Sequence, residues 1–120
     1  MSKTILVVDD SASVRQVVGM ALRGAGHSVI EAVDGRDALN KLDGGKLNLV
    51  VCDVNMPNLD GIGFVRELKQ KPAYRFTPVL MLTTESEEAK KQEGKAAGAK
   101  AWLVKPFKPD VLLAAVAKLA

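Results

Sequence analysis

Five short apolar runs, each followed by a longer segment of helical period, constrain this chain more than any other feature. The runs are TILVV (4–8), HSVIEA (27–32), NLVVC (48–52), PVLML (78–82) and AWLV (101–104). They are apolar almost throughout, whereas a strand with one wet face would alternate apolar and polar positions. Such strands need cover on both sides, so the pattern predicts a parallel sheet between two layers of helices. Right-handed crossovers leave few topologies for that arrangement. We expect an α/β fold: a five-stranded parallel sheet of order 2-1-3-4-5, doubly wound with five helices in the flavodoxin-like manner.

The first helix is the clearest. Val14, Val17, Val18, Ala21, Leu22 and Ala25 form one apolar stripe, Ser13 and Gln16 have the spacing of a capping box, and Gly26 supplies a stop. Further helices are expected at 36–43 before Gly44-Gly45, at 61–70 before Pro72, at 86–97 before Gly98, and at 109–119 after Pro106 and Pro109.

At 120 residues the chain is expected to be one domain, 1–120, without a separate output module. Its 48% hydrophobic content is enough for a sizeable core and argues against disorder. One Cys and one His exclude an internal disulfide and make a poor zinc site. The opening MSKTILVVDD is too short in its apolar run for a signal peptide or a membrane span, so we expect a cytoplasmic monomer without membrane insertion. The net charge of +3 is a weak argument for nucleic acid, which is not expected as a partner. Its distribution says more: residues 1–60 carry 6 Lys/Arg against 8 Asp/Glu, and residues 61–120 carry 11 against 6. The basic excess begins at Lys90 and reads either as a solvated helix face or as a docking surface for an acidic partner.

In a doubly wound sheet, ligands bind beyond the carboxyl ends of the strands where the winding reverses, here strands 1 and 3. Asp9 and Asp10 follow the first strand, Asp53 lies immediately beyond the third, Thr83-Thr84 end the fourth and Lys105 ends the fifth. The fold would therefore gather three carboxylates in one crevice. Close carboxylate pairs repel by about 4 kcal/mol at an effective dielectric near 20, so they must protonate or hold a cation. Oxygen donors without His or Cys favour Mg²⁺, with Mn²⁺ as a substitute. A carboxylate beside Mg²⁺ and an ammonium suits phosphoryl transfer, with Asp53 as nucleophile, Asp9 and Asp10 as metal holders, and Lys105 and the Thr83 hydroxyl on the phosphoryl oxygens. Singly, each residue has an ordinary reading: a helix cap, a β former, a turn. Their joint placement at successive strand ends carries the inference.

The segments ILVVDDSASVR, LVVCDVNMPNLDG, VLMLTT and AWLVKPF together resemble the signatures of the response-regulator receiver family, in order and over essentially the whole chain. The resemblance implies that Asp53 is the phosphoacceptor. It makes Asp10, Asp53 and the Asn55 backbone carbonyl direct Mg²⁺ ligands, with Asp9 acting through water. It implies a phosphate-binding role for Lys105, a switch role for Thr83 with Thr84 beside it, a cis bond before Pro106, and a loop shaped by Met56-Pro57 and Gly61. Trp102 stands at the switch aromatic, where the family favours Tyr or Phe; whether the larger indole rotates on activation or stays packed at the fourth helix is left open by the sequence.

The resemblance is to CheY-like receivers of the stand-alone chemotaxis kind: switches rather than enzymes, charged by a histidine kinase. Asn55 and Glu85 match positions that tune self-dephosphorylation there, and Thr84, where Ala or Gly is usual, is expected to slow it. Output would pass through the face of helix 4, strand 5 and helix 5, with Lys90, Lys91, Lys95, Lys100, Trp102 and Lys108 facing an acidic segment of the flagellar motor switch or another sensory-array component. Three other readings compete. A haloacid-dehalogenase-like phosphohydrolase also uses an Asp nucleophile, but it places that residue after the first strand and needs an Asp where Asn55 stands. A flavodoxin-like nucleotide carrier would want a Gly-rich phosphate loop where this chain has DDSAS. A receiver in a pathway other than chemotaxis differs only in its partners.

Overall fold

The computed structural model describes residues 3–83 and 88–120. Among them, strands β1 (Thr4–Val8), β2 (Ser28–Ala32), β3 (Leu49–Asp53), β4 (Val79–Thr83) and β5 (Ala101–Val104) alternate with helices α1 (Ala12–Gly24), α2 (Gly35–Asn40), α3 (Gly61–Gln70), α4 (Glu88–Ala97) and α5 (Pro109–Leu119). All pairings are parallel, as the apolar runs predict, and the order is β2-β1-β3-β4-β5, the one expected among the topologies that right-handed crossovers allow.

The near-continuous apolar runs serve two layers at once. Leu6, Val8, Val50, Cys52, Val79 and Met81 face one way, onto Ile62, Phe64, Val65 and Leu68 of α3 and Ala97 of α4. Ile5, Val7, Leu49, Val51, Leu80 and Leu82 face the other, onto Val18 and Leu22 of α1 and Leu112 and Val116 of α5. Successive strand residues point to opposite faces, so a strand covered on both sides must be apolar at every position. Each buried Val, Leu or Phe contributes about 1.5–3 kcal/mol by leaving water. The edge strands β2 and β5 are only partly covered, and their residues are correspondingly more exposed.

Three local expectations are corrected. The N-cap of α1 is Ser11, whose hydroxyl accepts from the Val14 N–H at 3.3 Å, and not Ser13. Asp9 Oδ1 accepts the Ser11 N–H at 2.9 Å, the reciprocal task that a capping-box Gln16 would have had. Of the α1 stripe, Val18 and Leu22 are buried, but Val17 is 54% exposed and Ala25 lies outside the helix as its C-cap. The second helix starts at Gly35, capped by Asp34, and stops at Asn40 rather than 43. Beyond it Gly44 takes a left-handed φ of 85° and the Gly45 N–H turns to Asp43 Oδ1, so the chain has already left the helix.

The helix after β1 packs on one face of the sheet and the helix after β3 on the other. The two connections therefore diverge, and the space between the carboxyl ends of β1 and β3 opens into a crevice.

Candidate functional site

Asp9, immediately after β1, is fully buried; Asp10 next to it is exposed; Asp53, the last residue of β3, is 6% exposed. One carboxylate oxygen from each lies within 4.8 Å of the others. Thr83 closes β4 and is buried, and Lys105 directly follows β5. The Lys105 ammonium is 2.8 Å from Asp9 Oδ2 and 3.4 Å from Asp53 Oδ1. Asp9 is further fixed through its backbone: its N–H donates to the Ala32 carbonyl at 3.1 Å and its carbonyl accepts from Arg15 Nη1 at 2.6 Å. The Lys105–Pro106 peptide bond is cis.

The electrostatics follow from burial and crowding. Burial and then the Asp9 charge push the Asp53 carboxyl up to about 6, against the pull of Lys105. Burial would lower Lys105, but its hydrogen bond to Asp9 and the Asp53 charge outweigh that and raise it. A carboxyl that holds its proton more tightly in the folded state stabilises the fold below its unfolded pKa near 3.9, and that stability is lost as pH rises through about 6. Without Mg²⁺, Asp53→Asn should therefore gain stability relative to wild type between pH 4 and pH 7. Urea unfolding at the two pH values tests this, and an unchanged difference would contradict it.

Hard oxygen donors only, gathered around a surplus of negative charge, fit Mg²⁺ as a ligand set. Asn55 lies two residues beyond Asp53 in the loop that leads to α3 and is exposed. Gly61 at the end of that loop is the one residue type its position admits: a Cβ there would stand 2.0 Å from the Asp53 carbonyl oxygen. Beside Lys105, the apolar parts of Val14, Val17 and Phe107 line an open groove of about 440 Å³.

Trp102 pairs with Met81 in register and packs against the same layer as α3 and α4. Its ring lies on Gly94 of α4; a Cβ at Gly94 would sit 2.2 Å from the six-membered ring. The indole N–H is buried with no hydrogen-bond partner among the described residues. Gly94→Ala should expel the indole, seen as red-shifted emission and stronger acrylamide quenching of Trp102; identical spectra would mean that Gly94 does not make this room. Gly94 was missed in the sequence reading, although a glycine inside a helix costs about 1 kcal/mol and so signals close packing.

The lysines named for a partner face are spread along it. Lys95, Lys100 and Lys108 are exposed, and Lys91 is half-buried. Lys100 precedes β5 and Lys108 follows the turn after it, so they stand at opposite ends of that strand. Lys90 lies in α4 but its side chain is outside those described, and Thr84 and Glu85 fall outside the described residues altogether.

Comparison with known proteins gives a consistent picture. Residues 5–117 match the family described as response regulator receiver domain. The alkaline phosphatase synthesis transcriptional regulatory protein PhoP of Bacillus subtilis is 42% identical over 109 residues, which cover 91% of this chain but only 45% of PhoP, so the chain spans less than half of that relative. Protein PilG of Pseudomonas aeruginosa is 36% identical over 112 residues, covering 93% of this chain and 83% of PilG. Among solved structures, chemotaxis protein CheY4 of Vibrio cholerae superposes with a TM-score of 0.95 at 47% identity, over 100% of both chains.

Proposed function

The chain belongs to the response-regulator receiver family, and on that premise we propose that Asp53 accepts a phosphoryl group from a histidine kinase with the help of Mg²⁺ held by Asp10, Asp53 and the Asn55 carbonyl, with Asp9 acting through water. The observation that carries this reading is the three-carboxylate cluster with Lys105 bridging Asp9 and Asp53.

The chemistry follows from the residues present. An Asp53 carboxylate oxygen attacks the phosphorus, the bond from phosphorus to the kinase imidazole breaks, and the imidazole nitrogen keeps the electron pair, leaving an acyl phosphate. With its pKa near 6, Asp53 is mostly ionised at pH 7 and available as the nucleophile. Mg²⁺, when bound, supplies positive charge against the phosphoryl oxygens. Lys105 exchanges its contact with Asp53 for a phosphoryl oxygen, and the Thr83 hydroxyl donates to another. Asn55 and Glu85 would position the water that later removes the group, with Thr84 slowing its approach.

Receiver domains are signalling switches, so the consequence of phosphorylation is a change of partner. The acyl phosphate adds about 1.5–2 negative charges at the crevice, and Thr83 and Trp102 would relay them to the face of α4, β5 and α5. A chemotaxis-type pathway is supported by the end-to-end similarity to CheY4. The basic side chains of Lys95, Lys100 and Lys108 suit an acidic segment of the flagellar motor switch or of another sensory-array component. No helix among the described residues is long and apolar enough to cross a membrane. Incubation with Mg²⁺ and acetyl phosphate followed by mass measurement tests the reading. A gain that stops at one phosphoryl group per chain supports the switch, and continuous turnover of a phosphate ester would favour a phosphohydrolase.

A further inference from the structure

The loop from Val54 to Asp60 is closed at its base and tied at its apex. At the base, the Gly61 N–H donates to the Val54 carbonyl at 2.9 Å, and the Val54 N–H donates to Leu82 of β4 at 3.0 Å. At the apex, Asn58 holds a left-handed φ of 69° and its side-chain amide donates to Asp34 Oδ2 at 2.7 Å. Next to it, the Gly35 N–H donates to the Leu59 carbonyl at 3.2 Å, and a Cβ at Gly35 would come within 2.6 Å of that oxygen. The other oxygen of Asp34 accepts the Asp37 N–H at 2.8 Å and caps α2. One buried carboxylate thus joins the start of α2 to the loop that carries Asn55. The Asp37 N–H and the Asn58 amide together hold Asp34 below its ordinary pKa, so it is an ionised acceptor at neutral pH.

A tether on this loop matters for a metal. Mg²⁺ demands near-ideal octahedral geometry at about 2.0–2.1 Å, so a ligand carried on a loop is useful only where that loop is held. Groups that orient ligands without touching the ion alter metal affinity about 10–100-fold.

We propose that Asp34 and Asn58 are positioning residues for Mg²⁺, their hydrogen bond holding the 54–60 loop so that the Asn55 carbonyl is presented to the acidic cluster. This rests on the Mg²⁺ reading given above. Neither residue touches the ion; both act through the loop.

Two variants separate the tether from the fold. Asp34→Ser keeps a good helix cap but is too short to reach Asn58. Asn58→Gly keeps the left-handed backbone and removes the amide. Mg²⁺ titration of ¹⁵N-labelled protein, read from amide shifts, should give a dissociation constant about tenfold weaker in each variant. The double variant should be no weaker than the weaker single one, because both remove the same bond. Asp37→Asn, which lies on the same turn without touching the loop, should bind as wild type does. Single variants that bind Mg²⁺ within twofold of wild type, or a double variant whose losses add, would overturn the proposal. Wild type that binds no Mg²⁺, or binding that survives Asp10→Asn unchanged, would overturn the metal-site reading itself and the proposal with it.

Discussion

Incubated with Mg²⁺ and acetyl phosphate, the wild-type chain gains one phosphoryl group and Asp53→Asn gains none. The expectation is specific to Asp53 because the three carboxylates are held differently. Asp9 is fully buried, and both of its oxygens are engaged, one by the Ser11 N–H and the other by Lys105. Asp10 is exposed and makes no ion pair among the described residues. Asp53 alone combines a place at the end of the central strand with a contact to Lys105, and its burial and crowding by Asp9 raise its basicity toward neutrality. Asn preserves the shape of the side chain and removes the nucleophilic oxygen. Mass measurement of the intact chain reads the outcome, and a phosphoryl group on Asp53→Asn would overturn the assignment.

Removing the cation has the second large effect. Lys105→Met leaves the stem in place but strips Asp9 of its charged partner at 2.8 Å, and the Asp9 side chain is fully buried while that of Lys105 is 15% exposed. Breaking a buried ion pair from one side typically costs about 3–5 kcal/mol, because the remaining charge is neither solvated nor paired. A loss of about 3 kcal/mol is therefore expected in urea unfolding at pH 7 without divalent cation. Saturating Mg²⁺ should restore part of it, since a cation held by the carboxylates compensates the same charge. A loss below about 1 kcal/mol would mean that the pair contributes no more than a surface ion pair does.

The fold was legible because its main constraint is one-dimensional. A strand covered on both faces writes itself as an apolar run, and the alternation of such runs with helical period limits the topology without any knowledge of contacts. The same reasoning brought Asp9, Asp10, Asp53, Thr83 and Lys105 to one rim, since strand ends in a parallel sheet share an edge. Local capping was less legible. Ser13 and Gln16 had the right spacing, but Ser11 is the cap because Asp9 takes the Ser11 N–H, and that depends on where β1 delivers Asp9. Val17 belongs to the apolar stripe by period and yet stands in solvent, because α1 is covered over a narrower arc than its stripe.

What the sequence by itself determined is the parallel, doubly covered sheet and the set of side chains at its carboxyl edge, because both follow from period and from position along the strands; the order was one choice among the few that right-handed crossovers leave. Only the tertiary structure decided which charges pair across that edge, that Gly94 makes the space filled by Trp102, and that Asp34 reaches Asn58 from another connection. Those contacts join residues 24 to 96 positions apart or lie between two elements. Their existence depends on crossover geometry and side-chain direction, which no local pattern encodes.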